Sequence, residues 1–518
     1  MVSKIFSAAL QGLSARIIEI ETVVSKGLRA FNIVGLGDKA IIEAKERVNQ
    51  AIKTIGFKPP YHQTKKVLVN LAPADFKKEG SLYDLPIALG YLLASGQAKF
   101  DSQSKIILGE LALDGSLKPV KGSLCFSLLA MEKGFKEIIL PIENIFEASL
   151  LNLNEEKIKV VGVKDLKQAI RYLEEKEQIN SVKIESEIFK KEISNFEVEF
   201  GWIRGQVHAK RALEIAAAGG HNVLMEGTPG AGKTLLAKAI ISILPQLSLE
   251  ESLELTKIYS AAGLLNKERS FIFQRPFRAP HHTSSEISLI GGGNPFHPGE
   301  ISLSHRGILF LDEFPEFHRD LLESLRQPLE EGKITIQRAH YFYILPAKFT
   351  LIAAANPCPC GYLNNPTKEC ICSFSQINSY RRKLSGPLMD RIDIFCYVPS
   401  LKYKELISED NFDLTKKIRF KIENSYKIQK ERFKKEGILT NSEMNIVQIK
   451  KYCQIDNSAK EILKKYIDSG RLSARGYHRV LKTARTIADL EQRETISFDN
   501  LTEALMYRLR ENINYPNL

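Results

Sequence analysis

Residues 227–234 read Gly-Thr-Pro-Gly-Ala-Gly-Lys-Thr, and this octapeptide constrains the chain more than any other stretch. Residues 221–226 (HNVLME) before it are apolar and strand-like, and residues 235–244 after it have helical spacing. A strand, a glycine-rich turn and a helix opening on Lys-Thr make the phosphate-binding loop of nucleoside triphosphate enzymes. Backbone N–H groups of such a loop close around phosphates, and the helix N-terminus adds partial positive charge. Gly227, Thr228, Pro229, Gly230, Ala231, Gly232, Lys233 and Thr234 are therefore the expected ATP-binding residues. Lys233 would reach the outer phosphates and Thr234 would ligate Mg²⁺. A chance glycine-rich turn is the alternative; the flanking pattern speaks against it.

Two further apolar runs end in polar residues, as buried parallel strands do where they meet a ligand. Residues 307–313 (GILFLDE) place Asp312 as a second Mg²⁺ candidate and Glu313 as the group that polarises the attacking water. Residues 349–356 (FTLIAAAN) end in Asn356, which could position that water or bond the γ-phosphate. Each ending could equally be an ordinary solvated turn.

With 518 residues the chain is too long for one core, and about three domains are expected. Residues 1–180 alternate strand-like runs (24–37, 64–71, 105–111, 118–120, 135–140) with helical spacing at 39–55, 85–93 and 124–132, an α+β pattern. Residues 181–199 are charged and read as a linker. Residues 200–400 hold the phosphate loop. Residues 401–518 carry helical stripes at 442–452, 459–470, 476–491 and 501–511.

The stretches FNIVGLGDKAIIEAKERV, VNLAPADFKKEGSLYDLPIALG and GELALDGSLKPV resemble the N-terminal domain of magnesium-chelatase-like AAA+ proteins, of the ComM/YifB type. The resemblance extends over nearly the whole chain. It implies an α/β P-loop AAA+ core, an N-terminal α+β domain of the Lon-protease/ribosomal-S5 type and a C-terminal helical lid. In the peptidase version a Ser and a Lys do the work. By the family match those positions fall near Leu82 and Leu124, so the domain is expected to be non-catalytic; the adjacent Ser81 would need a basic partner.

Several roles follow only from this resemblance. Asn356 would be sensor 1. In residues 386–393 (GPLMDRID) Arg391 would be an arginine finger entering the next subunit of a ring, a hexamer; by itself, an Arg between two Asp reads as a surface ion pair. Arg475, in RLSARGYHRVLKTARTIADL, would be sensor 2 reaching back over the γ-phosphate, with Arg479 as second choice or a plain basic helix face for both. The stretch RPFRAPHHTSSEISLIGGG marks the subfamily as a loop at 275–293. Its Arg275, Arg278, His281 and His282 could contact DNA, and Gly291–Gly293 would permit a turn. The histidine pair could instead bind metal or be structural.

Seven cysteines are few, and four lie in residues 356–372, NPCPCGYLNNPTKECIC. Cys358, Cys360, Cys370 and Cys372 could close a tetrahedral, structural Zn²⁺ site. The single residue within each pair is tighter than usual, and free thiols or two disulfides are the alternatives. In the resemblance this insert belongs to the ComM/YifB branch. Cys125, Cys396 and Cys453 read as buried or incidental. A disulfide scaffold is not expected. The N-terminus lacks a signal-peptide pattern and no run reaches 18 apolar residues, so a cytoplasmic protein with no membrane partner is expected. A net charge of +12 permits a polyanionic partner.

The resemblance thus points to an ATP- and Mg²⁺-using hexameric motor on single-stranded or branched DNA. It would be a branch-migration helicase in recombination and natural transformation, working with other recombination proteins. A protein-remodelling ATPase and a chelatase motor are the alternatives. The missing Ser-Lys pair weakens the first; the extra N-terminal domain and the cysteine insert weaken the second.

Overall fold

The computed structural model describes residues 2–62, 64–75, 77–153, 155–182, 184, 196–265, 270–293, 296–338, 341–365, 368–384, 386, 388–401 and 412–508. Most of the expected linker, and the expected helical residues 509–511, lie outside the described residues. The chain forms two compact units. The first holds Met1–Glu192 with Ser248–Phe273 and Gly293–Pro298; the second holds Ile193–Leu247, Gln274–Gly292 and Gly299–Leu518.

The first unit is built on a seven-stranded sheet. Its order is Ala30–Val34, Lys65–Ala72, Ser14–Lys26, Val2–Gln11, Lys105–Ile107, Glu137–Pro141, Lys159–Val163. Val2–Gln11 and Ser14–Lys26 pair antiparallel, with Ile5 opposite Ile20 and Ala8 opposite Ile17. Because strand side chains alternate, the two registers feed opposite faces. Ile5, Ile20 and Val69 pack under the helices Lys39–Thr54 and Asp84–Ala94, whereas Ala8, Ile106 and Ile138 pack with Phe126 of the helix Ser123–Glu132. Residues 24–37, expected as one strand, are divided. The chain leaves Ser14–Lys26 at Gly27 and returns as Ala30–Val34 on the far side of Lys65–Ala72, which fills the slot between them.

The helix Leu249–Ala262 falls inside the span expected for the ATPase core, yet it packs with the first unit. A Ser248/Glu251 capping box starts it. The buried Glu147 ties it down, accepting hydrogen bonds from the Ser260 hydroxyl and, at 3.1 Å, from the Leu124 N–H. Leu249 and Leu253 close over Leu124, Leu150 and Phe271.

The second unit contains a five-stranded parallel sheet ordered Phe277–Arg278, Ile308–Leu311, Thr350–Ala355, Val223–Gly227, Ile394–Val398. Its central strands are largely apolar, with Glu226 and Thr350 the polar exceptions, because helices cover both faces. Small residues of the helix Val207–Gly219 (Ala212, Ala216) let it lie close to Met225 and Ile352. A mixed α/β P-loop-type core of this kind is followed by the helices Phe412–Arg432, Ile446–Tyr452, Asn457–Asp468, Ala474–Leu490 and Phe498–Arg508. The sequence pattern shows the last four and hides the first, whose inward positions include Thr415, Ser425 and Gln429. No described helix is long and apolar enough to cross a membrane.

Candidate functional site

Parallel strands deliver their C-terminal ends to one edge of the sheet, and the chemistry-bearing residues of three strands meet there. Gly232, at φ 89°, turns the chain into the helix Lys233–Ala239, a conformation open to glycine at little cost. Lys233 is buried, and its Nζ donates to the carbonyls of Gly227 (2.7 Å) and Thr228 (3.0 Å) and to Asn356 Oδ1 (3.0 Å). Burial pushes its ammonium below the ordinary lysine value, against the pull of Asp312, Glu226 and Glu313. Thr234 Oγ1 donates to Asp312 Oδ2 at 2.7 Å, and the Glu313 N–H donates to Asp312 Oδ1 at 2.9 Å. Glu313 itself sits at φ 49°, a left-handed conformation that costs a non-glycine residue about 1 kcal/mol or more and is concentrated at functional sites.

The expected arginines are at the other edge. Asp393 opens the strand Ile394–Val398 and is fully buried against Arg479 (2.9 Å), the Asn222 N–H (2.9 Å) and His221 (3.7 Å). Burial alone would raise its carboxyl; Arg479, His221 and the Asn222 N–H outweigh that and hold it well below the usual carboxylate range. Arg391, nearly buried, pairs with Glu330. Arg475 lies 3.4 Å from Asp390, the arginine exposed and the aspartate partly so. Val223 to Gly227 spans about 13 Å of strand, and Asn222 marks the end remote from Lys233. Arg475 stands at that remote end, beside Asp390. The helix Ala474–Leu490 starts over the Asp390–Asp393 turn, because Arg475 and Arg479 both find carboxylates there.

The loop 275–293 divides by role. Arg275 donates to the carbonyls of Pro245 and Arg306, each at 2.8 Å, and lies over the Tyr426 ring. Arg278 makes a two-pronged bond to Glu300 (2.5 and 2.7 Å). Both guanidiniums thus serve the protein's own acceptors. His281 is exposed, its ring 4.1 Å from that of His282 and tilted 33° to it, and His282 Nδ1 lies 3.2 Å from Glu313 Oε2.

Family models agree with this geometry. "Magnesium chelatase, subunit ChlI" matches residues 199–406, "Subunit ChlI of Mg-chelatase" matches 20–144, and the ChlI C-terminal model matches 413–508. The competence protein ComM of Haemophilus influenzae is 40% identical, with 97% of each chain covered. A Mycobacterium tuberculosis protein is 36% identical over 98% of both chains, and YifB of Escherichia coli 37% identical over 98% of this chain and 97% of its own. The chain belongs to the magnesium-chelatase-like ChlI/ComM/YifB family of AAA+ ATPases. It is an ATP-hydrolysing enzyme.

The four insert cysteines of this ATPase also meet. Their sulfurs lie within 4.8 Å of one another, with Cys358–Cys360 at 3.4 Å, Cys358–Cys370 at 3.6 Å and Cys360–Cys370 at 3.5 Å. Four sulfurs about 2.3 Å from one tetrahedral ion stand about 3.8 Å apart, so the set fits a closed thiolate site. The Cys360 N–H points at Cys372 Sγ, 3.3 Å away. Gly361 (φ 84°) brings this loop against the phosphate loop: a Cβ there would stand 2.4 Å from Pro229 Cγ. Cys125, Cys396 and Cys453 are buried elsewhere.

Sequence reasoning missed three features. One is the antiparallel hairpin Lys333–Arg338/Tyr341–Pro346, which exposes Phe342 and Ile344 on alternate positions. Its period-two pattern was a usable signal. The others, His282 against Glu313 and Asn222 against Asp393, join residues far apart in sequence and had none.

Proposed function

We propose that this ATPase is a DNA motor that works as a ring, a hexamer in the manner the family resemblance implies. It would drive branch migration in recombination and in the integration of incoming DNA. Lys233 and residues 227–234 would hold the triphosphate, Thr234 and Asp312 the Mg²⁺, Glu313 the attacking water, and Asn356 the γ-phosphate. Mg²⁺ supplies charge neutralisation between the outer phosphates.

One observation carries the ring. The phosphate-binding group and the guanidiniums of Arg391 and Arg475 stand at opposite edges of one sheet. A triphosphate held at Lys233 can meet such a guanidinium only from a second copy. DNA as the track is supported by the net charge of +12, the exposed His281, the apolar exposed hairpin, and the relative named for competence. His281 and Thr283 are exposed on the loop, as are residues 285–288; Arg275 and Arg278 would hold it in place. The first unit would be a non-catalytic module of the Lon/S5 type. By the resemblance, Leu82 and the buried Leu124 would fall near the positions of a peptidase pair, and the Ser81 hydroxyl is taken up by Glu110. Cys358, Cys360, Cys370 and Cys372 would hold a structural Zn²⁺ beside the phosphate loop.

The test is ATP turnover with and without single-stranded, double-stranded and branched DNA, followed by strand exchange on a three- or four-way junction. Turnover should rise with DNA and junctions should be resolved only with hydrolysable ATP. Turnover indifferent to every DNA would remove the motor reading. Binding through phosphates should also weaken steeply as salt rises.

A further inference from the structure

Charge is unevenly spread over the first unit. Residues 26–66 hold nine Lys and Arg against three Asp and Glu, half of the net +12 of the chain. Four of these cations gather at one corner of the seven-stranded sheet. Lys26 ends its strand directly opposite Lys65, and Lys66 stands between Ser25 and Ala30 of the two flanking strands. Strand alternation sends Lys26 and Lys65 to the face that carries Val67 and Val69, and Lys66 to the other face. Arg29 follows in the turn between the flanking strands, its guanidinium 5.3 Å from the centre of the Tyr61 ring. Leu28, beside it, is 93% exposed.

Other cations of the same sheet have carboxylates. Lys4 has Glu19 at 2.6 Å, Arg16 has Asp75 at 3.4 Å and Lys159 has Glu137 at 3.6 Å. Among the described residues, Lys26, Arg29, Lys65 and Lys66 form no ion pair. Glu46, the acid of this corner, faces the Tyr61 hydroxyl. Like charges directly opposite in a sheet repel, so the corner weakens the fold and is not neutralised from within the described residues.

We propose that this corner is a nucleic-acid-binding surface of the first unit, where backbone phosphates of a single strand supply the missing counter-charge. The identity of the polyanion rests on the reading of DNA as the track. Lysine meets phosphate as a point charge, without a fixed geometry, which suits exposed side chains on both faces of a strand end. A nucleic-acid strand carries one charge per nucleotide with a flat apolar base beside it, and Leu28 offers that base a contact among the cations. An acidic peptide has the charge without the base and is the competitor to test against. Binding here needs no ATP, because none of these residues belongs to the phosphate site.

The experiment measures binding of a fluorescent single-stranded oligonucleotide to the full chain by anisotropy, without ATP, over a range of salt. It compares the parent with K26A/K65A/K66A and with K133A/K136A/K157A, which removes three exposed lysines elsewhere in the first unit. Each phosphate contact on a single strand contributes about 0.7 to the slope of log K against log salt. K26A/K65A/K66A should therefore lose about 2 from that slope and bind about tenfold or more weakly at about 0.1 M salt. It should melt no lower than the parent, since the Lys26–Lys65 repulsion is gone, and keep the parent's ATP turnover without DNA. K66E, a single change at an exposed position, should weaken binding in the same direction. The control triple should stay within about twofold of the parent. A parental slope in both K26A/K65A/K66A and K66E overturns this surface and leaves the motor reading standing. Equal losses in the two triples also overturn it, as an effect of net charge alone. Polyglutamate that displaces the oligonucleotide at equal charge concentration would replace nucleic acid by an acidic partner. A parent that binds no oligonucleotide removes this proposal and the DNA reading together.

Discussion

Individual side chains at this site are set by what burial demands of them. Asp393 is charged at the bottom of a sheet because Arg479, His221 and the Asn222 N–H together exceed the cost of removing it from water. Asp393→Asn should therefore cost about 3 kcal/mol of stability, read by denaturant unfolding, since it leaves Arg479 without its charge. The linkage has a definite sign. The carboxyl is held below its unfolded value of about 3.9, so its contribution is complete above about pH 4 and is lost as pH falls further. Melting curves between pH 6 and pH 2 should show the parent losing this contribution while the Asn variant does not. Gly361 is constrained differently, by a left-handed backbone and by Pro229. Gly361→Ala should fold and yet weaken ATP binding by about tenfold, the effect of about 1.4 kcal/mol of strain passed to the phosphate loop. Unchanged affinity in a fluorescent-nucleotide titration would separate the two loops.

At the scale of elements, the cysteine loop and the helix Ala474–Leu490 show how local order is brought to bear on the two edges of the sheet. The loop between the strand ending at Ala355 and the helix Phe374–Lys383 begins with Asn356, which holds Lys233, and touches Pro229 through Gly361. Purified protein should contain about one zinc per chain. The double variant Cys358→Ser/Cys370→Ser should lose it, together with nucleotide affinity, by elemental analysis and nucleotide titration. Metal absent from the parent would remove the zinc reading; metal present but without influence on affinity would remove only the coupling. The helix Ala474–Leu490 is anchored through Arg479 to Asp393 and through Asp489 to Arg432 of the helix Phe412–Arg432, so its N-terminal Arg475 is fixed relative to the sheet edge.

For the molecule as a whole, the proposed ring makes each complete site from two chains, because Lys233 and Arg391 stand at opposite edges of one sheet. Glu313→Gln should bind ATP and not turn it over, and Arg391→Ala should likewise be inactive alone. Mixing the two should restore part of the activity, because some interfaces then combine an intact Glu313 with an intact Arg391. Absence of restoration, with each variant shown to assemble by light scattering, would contradict a shared site. A chain that stays monomeric with ATP and DNA would remove the ring.

The sequence by itself determined whatever lies in contiguous pattern: the phosphate loop and its helix, the strands ending in Asp312 and Asn356, the four cysteines, and the last four helices. Each follows from local rules, since a glycine-rich turn or a period-two run carries its meaning in a few residues. Only the tertiary structure decided which distant partners those residues find. It put Arg475 beside Asp390, spent Arg275 and Arg278 on internal acceptors, brought Leu249–Ala262 to Glu147 in the first unit, and laid His282 against Glu313. It also formed a helix at Phe412–Arg432 from a segment whose inward positions are largely polar. Charged and polar side chains take their partners from whatever packing brings within about 3 Å, and no local spacing records that.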